Sequence, residues 1–190
     1  MANSENLQAL IARAKGLMLK PSAEWEKIDL EKATNQTLFR DYLAPLAAIP
    51  DLALFLRMLV SGRFNPFGAL FGSIVSYALS LLGVFLIGEV VYQLADNFSA
   101  RQDRLKAMKA VVYSSTPIWL AGVFLLIPNF DFFFMAFSLY SLFLMYRGLS
   151  IVMKAPDDKL TAYEATVVSV SIVVFIILIT VSAMISRPGA

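Results

Sequence analysis

Neither cysteine nor histidine occurs anywhere in the 190 residues. Without cysteine the chain has no disulfide, no thiolate nucleophile and no thiolate metal site. Without histidine it has no imidazole zinc ligand, no serine–histidine pair and no side chain that ordinarily titrates near neutrality. Most hydrolytic and metal-dependent mechanisms are closed, so no metal, no cofactor and no enzyme activity are expected. Charge is scarce too: Asp, Glu, Lys and Arg make up 16% of residues, against about 25% in a soluble domain. A net charge of +2, with basic residues scattered rather than striped, argues against a nucleic-acid partner.

What fills the space is hydrophobic, 58% of the chain, gathered into long runs. Crossing a bilayer takes about 20 mostly apolar residues, and only helices satisfy their own backbone there. Five windows qualify: 42–60, 67–94, 110–127, 132–152 and 167–185. The fold class expected is all-α, a polytopic membrane protein whose five-helix bundle (42–186) follows an N-terminal segment (1–41). The second window exceeds one span and must tilt or project beyond the lipid. Pro45 and Pro50 interrupt the first and Pro117 the third.

In the N-terminal segment, Leu7, Leu10, Ile11, Ala14, Leu17 and Met18 recur at helical spacing. The spacing predicts an amphipathic helix capped by Asn3 or Ser4 and ended by Pro21. It either packs on the bundle or lies in the membrane interface with Lys and Arg near anionic lipid. Residues 21–41 read as a short aqueous segment around Trp25, with a turn capped by Ser22. Lysine and arginine set the orientation. With the N-terminus inside, the inner segments hold Arg13, Lys15, Lys20, Lys27, Lys32, Arg40, Arg101, Arg104, Lys106, Lys109, Arg147, Lys154 and Lys159. Only Arg63 and Arg187 fall outside, and Arg57 lies within the first span. That asymmetry predicts a cytoplasmic N-terminus, an external C-terminus and an odd number of spans in the inner membrane.

Several strings resemble a known family. Tyr113-Ser-Ser-Thr-Pro-Ile-Trp-Leu-Ala-Gly122, Ile127-Pro128, Tyr140-Ser-Leu-Phe-Leu-Met-Tyr-Arg-Gly148 and Met153-Lys-Ala-Pro156 are similar to the bacterial branch of the Yip domain family. Trp25-Glu26-Lys27-Ile28 and Tyr42-Leu-Ala-Pro-Leu-Ala-Ala-Ile49 resemble its N-terminal part. The resemblance implies the five-span architecture. Eukaryotic relatives work in the early secretory pathway with small GTPases, a partner the resemblance does not extend to a bacterial relative. None of the strings is a catalytic signature.

Ionisable groups within spans are the default functional candidates, since placing one in lipid costs roughly 2.5–3.5 kcal/mol. Asp51, Arg57 and Glu89 qualify. Counted from the window edges, Asp51 lies about 13 Å and Glu89 about 7–8 Å from the inner side. The two acids are therefore candidates for a proton or cation site at related depths. The plainer reading has Glu89 snorkelling to headgroups and Asp51 capping a helix that restarts after Pro50; Arg57 then reaches the outer interface with Arg63 and Asp131. Gly68, Gly72, Ser76 and Ser80 recur every four residues, followed by Gly83 and Gly88, and suit close helix packing, within the bundle or at a dimer seam. The hydroxyls of Ser114, Ser115 and Thr116 satisfy carbonyls freed by Pro117, phenylalanines 130–137 face lipid near the outer interface, and 96–109 is a loop or short amphipathic helix that offers either a solvated charged face or a docking site for a cytosolic partner. Three functions remain: a membrane scaffold or adaptor meeting lipid, other membrane proteins or its own copies; a small transporter using Asp51 and Glu89; and an intramembrane enzyme. The last is weakest, lacking a second acid for a protease dyad, and five spans do not divide into the equal repeats usual in transporters.

Overall fold

The computed structural model of the chain describes residues 2–61, 66–127 and 129–186. Among these residues there is no strand, and nine α-helices follow one another. Two form an N-terminal hairpin: α1 (Ala2–Leu19) and α2 (Pro21–Leu30), with Pro21 in the first turn of α2, where its missing N–H is no loss. Next, α3 (Asn35–Leu38) runs through a π-helical turn into α4 (Ala44–Ser61). Then come α5 (Pro66–Leu94), α6 (Arg104–Ser114), α7 (Thr116–Ala121), α8 (Asp131–Ile151) and α9 (Asp157–Ser186).

Five stretches are long and apolar enough to cross a membrane: Asn35–Val60, Phe67–Leu94, Arg104–Leu126, Phe132–Ile151 and Asp157–Ile185. The second matches the sequence window. The first, third and fifth begin earlier than the windows 42–60, 110–127 and 167–185, because their helices continue past the lipid into a charged layer where hydropathy fails but hydrogen bonding does not. Two caps fix these starts. Thr34 Oγ1 accepts from Thr37 N (3.1 Å) while Thr37 Oγ1 accepts from Thr34 N (3.0 Å), a reciprocal box. Asp103 accepts from Leu105 N (3.0 Å) and Lys106 N (3.1 Å). The cap expected at Ser22 is absent: Lys20 holds that position without a side-chain bond. The side chains of Asn3 and Ser4 lie outside the described residues.

Helix α5 is central, packing on α4, α6 and α9, while α8 closes the bundle against α6, α7 and α9. The proline effects differ between spans. Pro50 stays inside α4. At Thr116-Pro117 the third span breaks and finishes as a 3₁₀ turn, Gly122–Leu126. Gly122 permits the contact between the two sites: a Cβ there would stand 2.7 Å from Pro50 Cα. The hydroxyls beside the break bond carbonyls as expected, Ser115 to Val111 O (2.9 Å) and Thr116 to Tyr113 O (2.7 Å).

The core sits at one end. Trp25, Ile28, Val91, Ala107, Lys109, Val112, Leu149, Met153 and Tyr163 are fully buried there. The N-terminal segment, the 95–103 loop and the 152–156 loop all meet at that basic end. The opposite end is lean, with side chains such as Ile176, Ile179 and Phe132 turned outward.

Candidate functional site at the basic end

Helix α2 is the keystone of the basic end. Its Trp25, read from sequence as lying in an aqueous segment, is fully buried. The indole fits a notch that only glycine allows: a Cβ on Gly148 of α8 would lie 2.8 Å from Trp25 Cη2. Tyr113 of α6 meets the indole edge-on, ring centroids 6.3 Å apart. Residues 21–41 are therefore aqueous on one face only. Their apolar minority (Trp25, Ile28, Leu38) is too sparse for a hydropathy window yet sufficient for a docking face.

Around this plug runs a network of ion pairs. Arg13 on α1 donates to Glu24 (2.7 Å) and Glu31 (2.9 Å), and its guanidinium lies 5.5 Å from the Tyr113 ring centroid. Glu24 also accepts from Lys27 (3.0 Å). Asp29 gathers three cations from two loops and a helix start: Lys106 (2.6 Å), Lys154 (3.1 Å) and Arg101 (3.2 Å). Burial alone would raise the Asp29 carboxyl; hydrogen bonds from Lys106 and Lys154 outweigh it and hold the group below its ordinary value. Lys109 is fully buried and donates to the carbonyls of Ile28 (2.9 Å) and Glu31 (2.7 Å), where the C-terminal end of α2 offers unpaired oxygens and negative partial charge. Tyr42 and Thr116 share a buried hydroxyl contact of 2.9 Å just beneath. The segment 96–109 holds a 3₁₀ turn (Asp96–Phe98) and, as the short-helix reading expected, the start of α6; Asp96, Asn97, Arg101 and Arg104 are exposed, while Lys106 and Lys109 are consumed internally.

The two candidate acids do not meet. Asp51 lies within α4, hydrogen-bonded to Ser76 of α5, beside an open groove of about 220 Å³ lined by Leu52, Phe55, Ser73 and Tyr77. Glu89 stands thirteen residues further along α5, about 20 Å away. It pairs there with Arg104 (3.0 Å) and Gln93 (2.6 Å). The related depths inferred from sequence fail because the first span starts at Asn35, seven residues before the window edge. The capping role for Asp51 fails as well: α4 does not restart after Pro50. Arg57 donates to Leu125 O (3.3 Å), whereas Arg63 and the Asp131 side chain lie outside the described residues.

The small-residue stripe divides. Gly68 is exposed and Gly72 half-buried, and Ser76 and Ser80 line a groove of about 370 Å³ between α5 and α9. The close helix approaches fall further along, at Gly83, where a Cβ would lie 3.0 Å from Leu178, and Gly88, 2.8 Å from Met108. Among the described residues, no three His, Cys, Asp or Glu are grouped as a metal site would require. Sequence reasoning missed Arg13, Glu24, Asp29 and Lys109 as a unit, since long-range charge pairing leaves no local pattern. It also missed Glu164 of α9, half-buried against α8 with its Oε1 unpaired. The Thr34–Thr37 box was the one readable signal that the first span starts early.

Comparison with known proteins agrees with this architecture. The Yip1 domain model matches residues 15–179. The chain belongs to the Yip1 domain family. The match runs from the last turns of α1, through α2, into α9. The inner membrane protein YohC of Escherichia coli (strain K12) is 21% identical over 181 residues, covering 89% of this chain and 93% of its own. YohC of Escherichia coli O6:H1 (strain CFT073) matches to the same extent. No solved structure matches. The family, the inner-membrane relatives and the five spans make this Yip1-domain chain a multi-pass inner membrane protein.

Proposed function

We propose that this Yip1-domain protein is a non-enzymatic scaffold or adaptor of the inner membrane, its N-terminus and basic end in the cytoplasm and its C-terminus outside. The observation that supports this reading most is the composite head built from α1, α2, the 95–103 loop and the 152–156 loop. Asp29 alone ties α2 to Arg101, Lys106 and Lys154. Such a head offers lipid or protein partners one rigid surface. Its outward charges are Lys15, Lys20, Glu26, Lys27, Lys32 and Arg40, while the loop cations are mostly spent on internal pairs. A pathway through Asp51 and Glu89 has less support, because each acid has its own partner and the two lie about 20 Å apart along α5.

The test pairs two experiments. Photo-crosslinking groups placed at Glu26 and Lys32 in intact cells should give discrete adducts that Asp29→Lys abolishes, while the same group at Ile176 should give none of them. Proteoliposomes of the purified chain should show no proton or cation flux above protein-free vesicles. Robust flux that disappears in Asp51→Asn would replace the scaffold with a transporter.

A further inference from the structure

Helix α1 carries more apolar surface than the bundle takes. At 100° per residue, Leu10, Ala14 and Leu17 fall on one flank, and Leu7, Ile11 and Met18 on the next. The bundle buries Ala14 and Leu17 and partly covers Leu10. Leu7 and Ile11 stay more than half exposed, at 57% and 55%. At the turn into α2, Leu19 is 67% exposed and is followed by exposed Lys20; Lys15 is exposed beside the open flank.

The depth of this turn can be read from α8. That helix has 21 residues, so its length of about 31 Å is barely one hydrocarbon thickness. Tyr140 donates its hydroxyl to the carbonyls of Leu17 (3.3 Å) and Met18 (3.1 Å). Tyr140 is eleven residues, about 16 Å, from the basic end of α8. Arg147, four residues or about 6 Å from that end, donates to Ser22 Oγ (2.8 Å). The tip of the hairpin, Leu19 to Pro21, is therefore held between the levels of Tyr140 and Arg147, within the apolar stretch Phe132–Ile151.

We propose that the tip of the α1–α2 hairpin is a shallow wedge in the cytoplasmic leaflet, docking on anionic phospholipid. Leu7, Ile11 and Leu19 enter the acyl-chain boundary, and Lys15 and Lys20 extend along their own stems to the phosphates. Depth and charge together select lipid over a soluble partner: a protein in water does not reach past Arg147, about 6 Å down a spanning helix, and two lysines at the rim complement a negatively charged leaflet. The inference rests on the cytoplasmic placement of the basic end, but not on what the head binds.

The absence of cysteine makes the test direct. Single variants Leu19→Cys and Glu26→Cys of the full chain, each carrying a polarity-sensitive fluorophore, are reconstituted in phosphatidylethanolamine vesicles with and without phosphatidylglycerol. The label at 19 should lose most of its emission to shallow doxyl-lipid and little to iodide, and the label at 26 should do the reverse. Adding phosphatidylglycerol should shift the label at 19 to the blue, and Lys15→Glu with Lys20→Glu should remove that shift. Iodide access at 19 without doxyl quenching would overturn the wedge. Shielding from both quenchers would place protein rather than lipid on the tip. Doxyl quenching indifferent to phosphatidylglycerol and to the lysines would overturn the anionic specificity. None of these readouts depends on a protein partner, so the wedge and the scaffold fail separately.

Discussion

The two ends of this bundle are built by different physics. At the basic end, tyrosines, a tryptophan and paired charges are locked together, and every residue of α6 from Ala107 to Ser114 is buried. At the opposite end the fifth span turns most of its side chains outward, Ile172, Val173, Ile176, Ile177 and Ile179 among them, and open grooves flank α5. Lipid tails are as apolar as leucine, so helices in the hydrocarbon gain little by covering aliphatic side chains. Where the chain leaves the lipid, burial regains its hydrophobic value and each polar group needs a partner. The same helices are therefore loosely packed along one length and tightly packed along the other.

The sharpest way to break this contrast is to empty the basic core. Trp25→Ala should lower stability by about 3–5 kcal/mol, the usual loss for a large buried aromatic. Phe132→Ala, at a side chain 66% exposed near the other end, should stay within about 0.5 kcal/mol. Thermal unfolding in one detergent compares them; equal losses would erase the distinction. Next in size is Lys109→Ala, which leaves the carbonyls of Ile28 and Glu31 unpaired and should lower stability by about 1–3 kcal/mol. Its companion is Lys15→Ala on the exposed face, with no measurable effect expected.

Glycine substitutions sharpen the comparison inside the spans. Gly122→Ala pushes a methyl onto the Pro50 backbone, which has no rotamer to yield, and should destabilise by about 1–3 kcal/mol. Gly72→Ala, at a half-buried position, should be nearly neutral. A reversed order would mean that the stripe at Gly68 and Gly72, not the Pro50–Gly122 contact, carries the tight packing. The smallest effect is pH-dependent. The Asp29 carboxyl is held below its ordinary value in the folded chain. Its contribution is therefore complete above the unfolded value of about 4 and is lost as pH falls through the lower folded value. Asp29→Asn should flatten that acid limb of a stability–pH curve, and an unchanged limb would remove Asp29 as a linchpin.

How legible this was depended on range. The five spans, their order and the gathering of basic segments at one end followed from hydropathy and charge, because lipid imposes those patterns residue by residue. The hydroxyls beside Pro117 were legible for the same local reason. The packed head was not. Trp25 sits in a sequence rich in Glu, Lys and Asp, and its burial depends on Gly148, 123 positions away. Asp51 and Glu89 were brought together by counting from a window edge that the Thr34 cap moves. Splitting the α1 stripe into a bundle flank and an open flank needed Tyr140, on another span, to fix the helix in place.

The central claim is that the charged N-terminal hairpin is core rather than arm. Hydrogen exchange of the full chain in lipid nanodiscs tests it most directly. Amides of Trp25 to Leu30 should exchange as slowly as those of Ala107 to Val112 on α6, in one cooperative unit that opens only on global unfolding. Exchange of α2 within seconds, while α6 stays protected, would contradict the account.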